Sequence, residues 1–285
     1  MSGDGRRGSE AAVFWGGLAA GAVAGALGVM GVRYVRGQRQ ITRDVNAFRE
    51  HWAEPRIDGA GAAPRTHHPD DASHGGHAGG VVHYVALGDS AAQGVGASHV
   101  GASYVALLGR RIAEATGRQV AITNLSVSGA VSGDVVASQL PALAELGLEP
   151  DIVTLDIGGN DVVFAVDNTV ESFARSFDEI LDGLPAGSFV GDVPWFIIPG
   201  LEQRSKAMAR RAVELIERHG HHLVPIYDSM RQEGRLRYYS KTAADWFHPN
   251  DRGHLAWADL FWERIEASGK LAELRAHTWA QEHLD

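Results

Sequence analysis

Val81–Gly94, VVHYVALGDSAAQG, decides the fold. Between Gly80 and Gly88 every residue but His83 is apolar, the composition of a parallel strand buried on both faces. The apolar run stops at Gly88. In an open α/β sheet ligands bind outside the carboxyl ends of the strands, so Ser90 falls where chemistry is usually done. One serine in such a place is a weak signal, and it gains weight from three later stretches: Asn124–Gly129 (NLSVSG), Ile157–Asp161 (IGGND) and Asp245–Asn250 (DWFHPN).

From Val81 onward, strand-like and helix-like patterns alternate, which predicts a parallel sheet with helices on both faces. The expected strands are Val81–Leu87, Gln119–Val127, Asp151–Ile157, Ser188–Val193 and His221–Tyr227. The expected helices are Tyr104–Thr116, Gly133–Leu146, Val170–Leu184, Leu201–His219 and one from about Asn250 to Ala267. Five such units make a three-layer α/β/α sandwich around a flavodoxin-like, five-stranded parallel sheet.

Composition narrows the function. With 285 residues and 45% hydrophobic content, the chain can bury one full core and carry an appendage. The net charge is −9, and residues 81–285 hold 17 Lys and Arg against 27 Asp and Glu. So acidic a region lacks the basic face that nucleic acid requires. There is no cysteine, which removes disulfides, thiolate metal sites and a thiol nucleophile.

The appendage divides into four parts: a tail over 1–10, an apolar segment over 11–35, a helix over 36–57 and a tether over 58–80. Ala11–Val32 holds 22 uncharged residues between arginines. At about 1.5 Å per residue it reaches roughly 33 Å, enough to cross a bilayer as a transmembrane anchor. The run is longer than a signal-peptide core and ends in arginines. Four arginines follow it closely and two precede it, which by the positive-inside rule places the large domain in the cytoplasm. Gly17, Gly21 and Gly25 stand four apart, a face on which two such helices could associate, although a Gly/Ala-rich helix produces that spacing by chance. Ile41, Val45, Phe48 and Trp52 form one apolar stripe on the following helix, with the catalytic domain, a second copy or the lipid headgroups as candidates to receive it. Asp58–Gly80 is rich in Gly, Ala, Pro and His and reads as a flexible tether; His67, His68, His74 and His77 would bind metal only weakly from so mobile a tract.

The chain from Val81 to about Ala267 resembles the SGNH, or GDSL, serine hydrolases. Gly88-Asp89-Ser90 with Gly94 is similar to the family's first block, Gly129 to its second, Gly158-Gly159-Asn160-Asp161 to its third and Asp245-Trp246-Phe247-His248 to its fifth. The resemblance implies hydrolysis of carboxylic esters of short or medium acyl groups, or of acetylated glycans, through an acyl-enzyme, without a metal or organic cofactor. Family members with an N-terminal apolar segment are often exported, so the resemblance places the domain outside the membrane, against the arginine count.

The residues support the same chemistry. Acyl transfer needs a nucleophile, a base beside it and a group that orients the base. Ser90 supplies the hydroxyl, His248 the base, and Asp245 stands three residues away, able to hold the imidazole. An imidazole base must be neutral, so activity is expected to rise with pH through about 6–7 and then level off. By resemblance the oxyanion donors are the amides of Ser90 and Gly129 and the side chain of Asn160. Of the other histidines, His254 reads as a surface helix residue. Asp156 puts a carboxyl where such strands are usually apolar; a strand end meeting solvent is the first reading and a hydrogen-bond partner for the site the second. Trp195 and Phe196, in the apolar loop Pro194–Gly200, line an acyl pocket or belong to the core. An acyltransferase using the same three residues remains an alternative. A flavodoxin-like binding module is another, although Gly94-Val95-Gly96 lacks the third glycine of a dinucleotide fingerprint and no phosphate-loop lysine is present.

Overall fold

The structure is a computed structural model that describes residues 41–53, 56–58, 80–164, 166 and 168–282. The apolar segment 11–35, with Gly17, Gly21 and Gly25, and the tether histidines lie outside the described residues. No helix among the described residues is long and apolar enough to cross a membrane.

Six strands form one sheet: β1 (Arg56–Asp58), β2 (Val82–Gly88), β3 (Val120–Asn124), β4 (Ile152–Asp156), β5 (Phe189–Gly191) and β6 (His222–Val224), in the order β1-β3-β2-β4-β5-β6. The last five, all foreseen, pair in parallel. The addition is β1, which pairs antiparallel with β3 and covers the edge that β3 would otherwise leave open. It lies where the expected helix 36–57 gives way to the tether, in a segment whose composition carries no strand signal.

Side-chain alternation along β2 divides the core in two. Val82, Tyr84 and Ala86 face one layer and Val85 and Leu87 the other. The first layer holds α3 (Tyr104–Thr116), α10 (Asp251–Ala267) and the start of α11 (Lys270–Glu282). The second holds α7 (Val170–Gly183) and α8 (Pro199–His219), whose Phe173, Phe177, Met208 and Leu215 are buried. Thus β2 passes into the first layer and its neighbour β4 into the second. A crevice opens between their carboxyl ends, at the sheet's topological switch point.

Further helices are α1 (41–51), α2 (Ser90–Gln93), α4 (Ser132–Asp134), α5 (Leu140–Glu145), α6 (Gly159–Val163) and α9 (Ile226–Lys241). A π-helical stretch, Val135–Gln139, interrupts the helix expected over Gly133–Leu146. Neither α9 nor α11 was expected. The α9 sequence is mostly polar and contains Gly234, whose φ of 80° kinks it, so it carries little helical periodicity.

The stripe on α1 packs on the hydrolase-like domain. Phe48 and Trp52 are buried in the first core layer. Phe48 lies against Gly94, where a Cβ would come within 2.7 Å of the ring, and Trp52 Nε1 donates to Gln93 O at 3.0 Å. The helix therefore braces the far end of α2, whose first residue is Ser90.

Truncating Phe48 to Ala should cost about 3 kcal/mol of stability, read by urea denaturation of the intact chain. A change below about 1 kcal/mol would show that α1 is not part of the packed core.

Candidate active site

Ser90 is held in place by the backbone before it. Gly88 has a φ of 141°, and a Cβ there would stand 2.0 Å from Asp156 O, so β2 and β4 run together only because this residue has no side chain. The side-chain amide of Gln139 grips both backbone groups of Gly88, each at 2.8 Å. Asp89 caps α2 by accepting from Ala91 N at 3.0 Å. Ser90 follows as the first residue of the helix and is 4% exposed, under the rim of the crevice.

The base arrives from the far end of the chain. His248 Nε2 lies 2.9 Å from Ser90 Oγ, and its Nδ1 lies 2.5 Å from Asp245 Oδ2. The second oxygen, Oδ1, accepts from the amides of Phe247 and His248 at 3.1 and 3.2 Å. Between them Trp246 adopts a φ of 59°, the only positive φ of a non-glycine residue among the described residues. Such a conformation costs on the order of 1 kcal/mol, and here it folds the loop so that Asp245 reaches the imidazole. The loop is pinned by Ala243 N donating to His248 O at 2.7 Å and by Asn250, which caps α10 and also donates to Ser240 O and Thr242 O. Close approach of Gly96 to Pro249 O, where a Cβ would meet that oxygen at 2.3 Å, ties the loop to the chain after α2.

The third group of residues lies beside Ser90. Asn160 Nδ2 donates to Ala130 O at 2.9 Å and stands 3.4 Å from Asp89 Oδ2, which links the loop after β4 to Gly129's neighbour and to Ser90's neighbour. Gly129 is exposed with a φ of 86°. Among the described residues no backbone hydrogen bond occupies the amide of Ser90 or of Gly129. The Gly129 loop is steadied by Gln93, whose side chain donates to Ser126 O and accepts from Ser128 Oγ. Asp161 accepts from Ser132 N and Oγ at 2.9 and 2.6 Å, joining the loops that carry Asn160 and Gly129. The sequence motif contains Asp161, but its partner could be found only in the fold; the same holds for Gln93 and Gln139.

Burial acts unevenly on the carboxyls. It would raise Asp245, but the hydrogen bond and charge of His248, with two backbone amides, outweigh it and hold Asp245 below its ordinary value. Burial pushes Asp89 up to about 6 against the Ala91 amide and the His248 charge, and raises Asp161 against its bonds from Ser132.

Two expectations are corrected. His254 is fully buried on α10: its Nε2 lies 3.2 Å from Val95 O, and its Nδ1 accepts from Tyr104 N at 3.4 Å. The helix turns this position toward α3, so a polar residue there bonds backbone instead of water. Asp156 does not meet solvent either; it is 2% exposed, and its Oδ2 has no hydrogen-bond partner. Trp195 and Phe196 are buried in the second layer and also line a cleft that opens beside Ser90 and His248.

A family model for GDSL-like lipases and acylhydrolases matches residues 86–256, more than half of the chain. The chain belongs to that family. The GDSL-like esterase Rv1075c of Mycobacterium tuberculosis (strain ATCC 25618 / H37Rv) is 28% identical over 190 residues, which cover 63% of this chain and 60% of the relative. Among solved structures, the lipase/acylhydrolase from Enterococcus faecalis superposes with a TM-score of 0.57 at 22% identity, covering 66% of this chain and 96% of that one. A mutant of Axe2, an acetyl-xylooligosaccharide esterase from Geobacillus Stearmophilus, gives 0.54 at 19% identity, covering 65% and 94%. At such identities the two structures establish the shared SGNH hydrolase fold. The chain spans about 60% of the length of the curated relative it matches.

Burial depresses His254 from 6.5 to about 4, against the opposing hydrogen bond that its Nε2–H donates to Val95 O. Between those values the unfolded chain binds more protons, so this residue's stabilisation is complete above pH 6.5 and is lost as the pH falls toward 4. Asp89 and Asp192, raised by burial to about 6 and about 7, act with the opposite sign, losing stabilisation as the pH rises. Comparing wild type with His254→Asn isolates the histidine: the difference in unfolding free energy should change by on the order of 2 kcal/mol between pH 7.5 and 4.5, to the wild type's disadvantage at low pH. A pH-independent difference would contradict the buried, neutral assignment.

Proposed function

We propose that the chain is a serine esterase that works through an acyl-enzyme. The observation that carries this reading is the hydrogen-bonded series Ser90–His248–Asp245, assembled from positions 158 residues apart. His248 Nε2 takes the proton of Ser90 Oγ as that oxygen bonds the ester carbonyl carbon. The carbonyl electron pair moves to oxygen, where the amides of Ser90 and Gly129 and the Asn160 side chain donate hydrogen bonds. Collapse expels the alcohol, which receives the proton from His248 and leaves an acyl group on Ser90. Water then repeats the sequence, losing its proton to His248 and releasing the carboxylic acid. Asp245 holds the ring with Nδ1–H toward itself and stabilises the imidazolium. A carboxyl held below its ordinary value suits that role, because it stays ionised beside the charged ring.

Short or medium acyl groups, or acetylated glycans, are the substrate classes this reading takes from the family resemblance. The segment 11–35 serves in it as a single membrane anchor that holds the domain on the outer side, within reach of such substrates.

The test is the intact chain with a fluorophosphonate probe and a panel of p-nitrophenyl esters. Ser90→Ala should lose both labelling and turnover; Asp245→Asn should fall by about 10³–10⁴ and Asn160→Ala by about 10²–10³ in kcat. Labelling and turnover that both persist in Ser90→Ala would overturn the assignment.

Protease added to intact cells should degrade the domain; protection until lysis would place it on the inner side.

A further inference from the structure

The cleft beside Ser90 has an apolar body and an acidic floor. It lies between α9, α10 and the loop after β5, with a cavity volume of about 60 Å³ that opens to solvent. Phe196, Met230, Tyr238, Phe247, Trp257 and Leu260 line its walls. Asp156 lies on the side of the sheet that α10 covers. Its Cα is paired with that of Gly88, one strand spacing across and two residues before Ser90 along β2. The carboxyl is 2% exposed, and its Oδ2 is buried without a hydrogen-bond partner. Thr242 Oγ1, in the lining of the same cleft, is likewise buried and unpartnered.

These two orphaned atoms set what the cleft accepts. A plain alkyl chain seated against Asp156 would leave its buried Oδ2 without a hydrogen bond, the costliest state for a buried polar group. A group with both a donor and an acceptor would satisfy the carboxyl. Burial, with Asp89 and Asp192 close by, raises Asp156 well above the ordinary carboxylate range, which favours its neutral form, able to donate and accept. The complement of such a group is a hydroxyl. An ammonium would want an ionised carboxylate, and a second carboxylate would be repelled by Asp89 and Asp192.

We propose that the cleft selects esters whose seated portion carries a free hydroxyl, hydrogen-bonded to Asp156, over esters with a plain hydrocarbon at that place. The inference rests on the reading of Ser90 as the nucleophile and names the substrate class of that site. Asp156 acts in it as a specificity-determining residue, with Thr242 as a second polar point for a substrate carrying more than one hydroxyl.

Matched ester pairs test it on the intact chain: p-nitrophenyl butyrate against p-nitrophenyl 3-hydroxybutyrate for a hydroxyl on the acyl side, and pentyl acetate against 5-hydroxypentyl acetate for one on the alcohol side. In at least one pair the hydroxylated ester should be preferred by about 10-fold or more in kcat/KM. Asp156→Leu should bring that ratio close to one or invert it. Asp156→Asn, which keeps a head group that donates and accepts, should hold it within about threefold of wild type. Ratios near one in both pairs for the wild type would overturn the inference whatever the folding of the variants, as would a preference undiminished in Asp156→Leu. p-Nitrophenyl acetate separates the two readings. If Ser90→Ala still turns it over, the nucleophile assignment falls; if only wild type does and neither pair shows a preference, the esterase reading stands and the hydroxyl selectivity alone is lost.

Discussion

Close contact between two backbones at the carboxyl ends of β2 and β4 is the constraint on which the site depends. Only a residue without a side chain can occupy position 88, where β2 runs against Asp156 O. That contact ends the strand and turns the chain into α2, leaving Ser90 at the crevice. From the other strand it brings Asp156 under the same crevice and starts the loop that carries Asn160. Nucleophile, oxyanion-side amide and cleft floor therefore share one origin in the sheet, so their relative positions are as rigid as the strand pairing itself.

His248 is positioned by a different means. His248 belongs to no strand; it sits in a loop before α10 whose shape is enforced by a left-handed Trp246, by the two backbone amides turned onto Asp245 and by the cap of Asn250. Strain at Trp246 is tolerated because these bonds over-determine the turn. An imidazole gripped at Nδ1 presents Nε2 to Ser90 Oγ.

The helix at 41–51 has a structural role distinct from that of the segment before it. Phe48 and Trp52 reach the residues that close α2, so the chain leading from the N-terminal apolar segment is packed against the back of the nucleophile helix.

Much of this was legible before any fold was known. An apolar run bounded by glycine marked β2, alternation of strand-like and helix-like stretches marked the other four parallel strands, and Ser90, Gly129, Asn160, Asp245 and His248 stood in short motifs whose spacing is local. Other features had no local signal. His254 looked like a surface histidine because its partners, Val95 O and Tyr104 N, lie on elements 150 or more positions away. Asp156 looked like a strand end in solvent because nothing near it in sequence foretells its burial. Strand β1 and helix α9 draw their stability from neighbours more than from their own periodicity. Local chemistry determined which residues could form the site; which of them meet, and which polar atoms are left in the cleft without a partner, was decided by tertiary packing, since burial is a property of the surroundings and not of the residue.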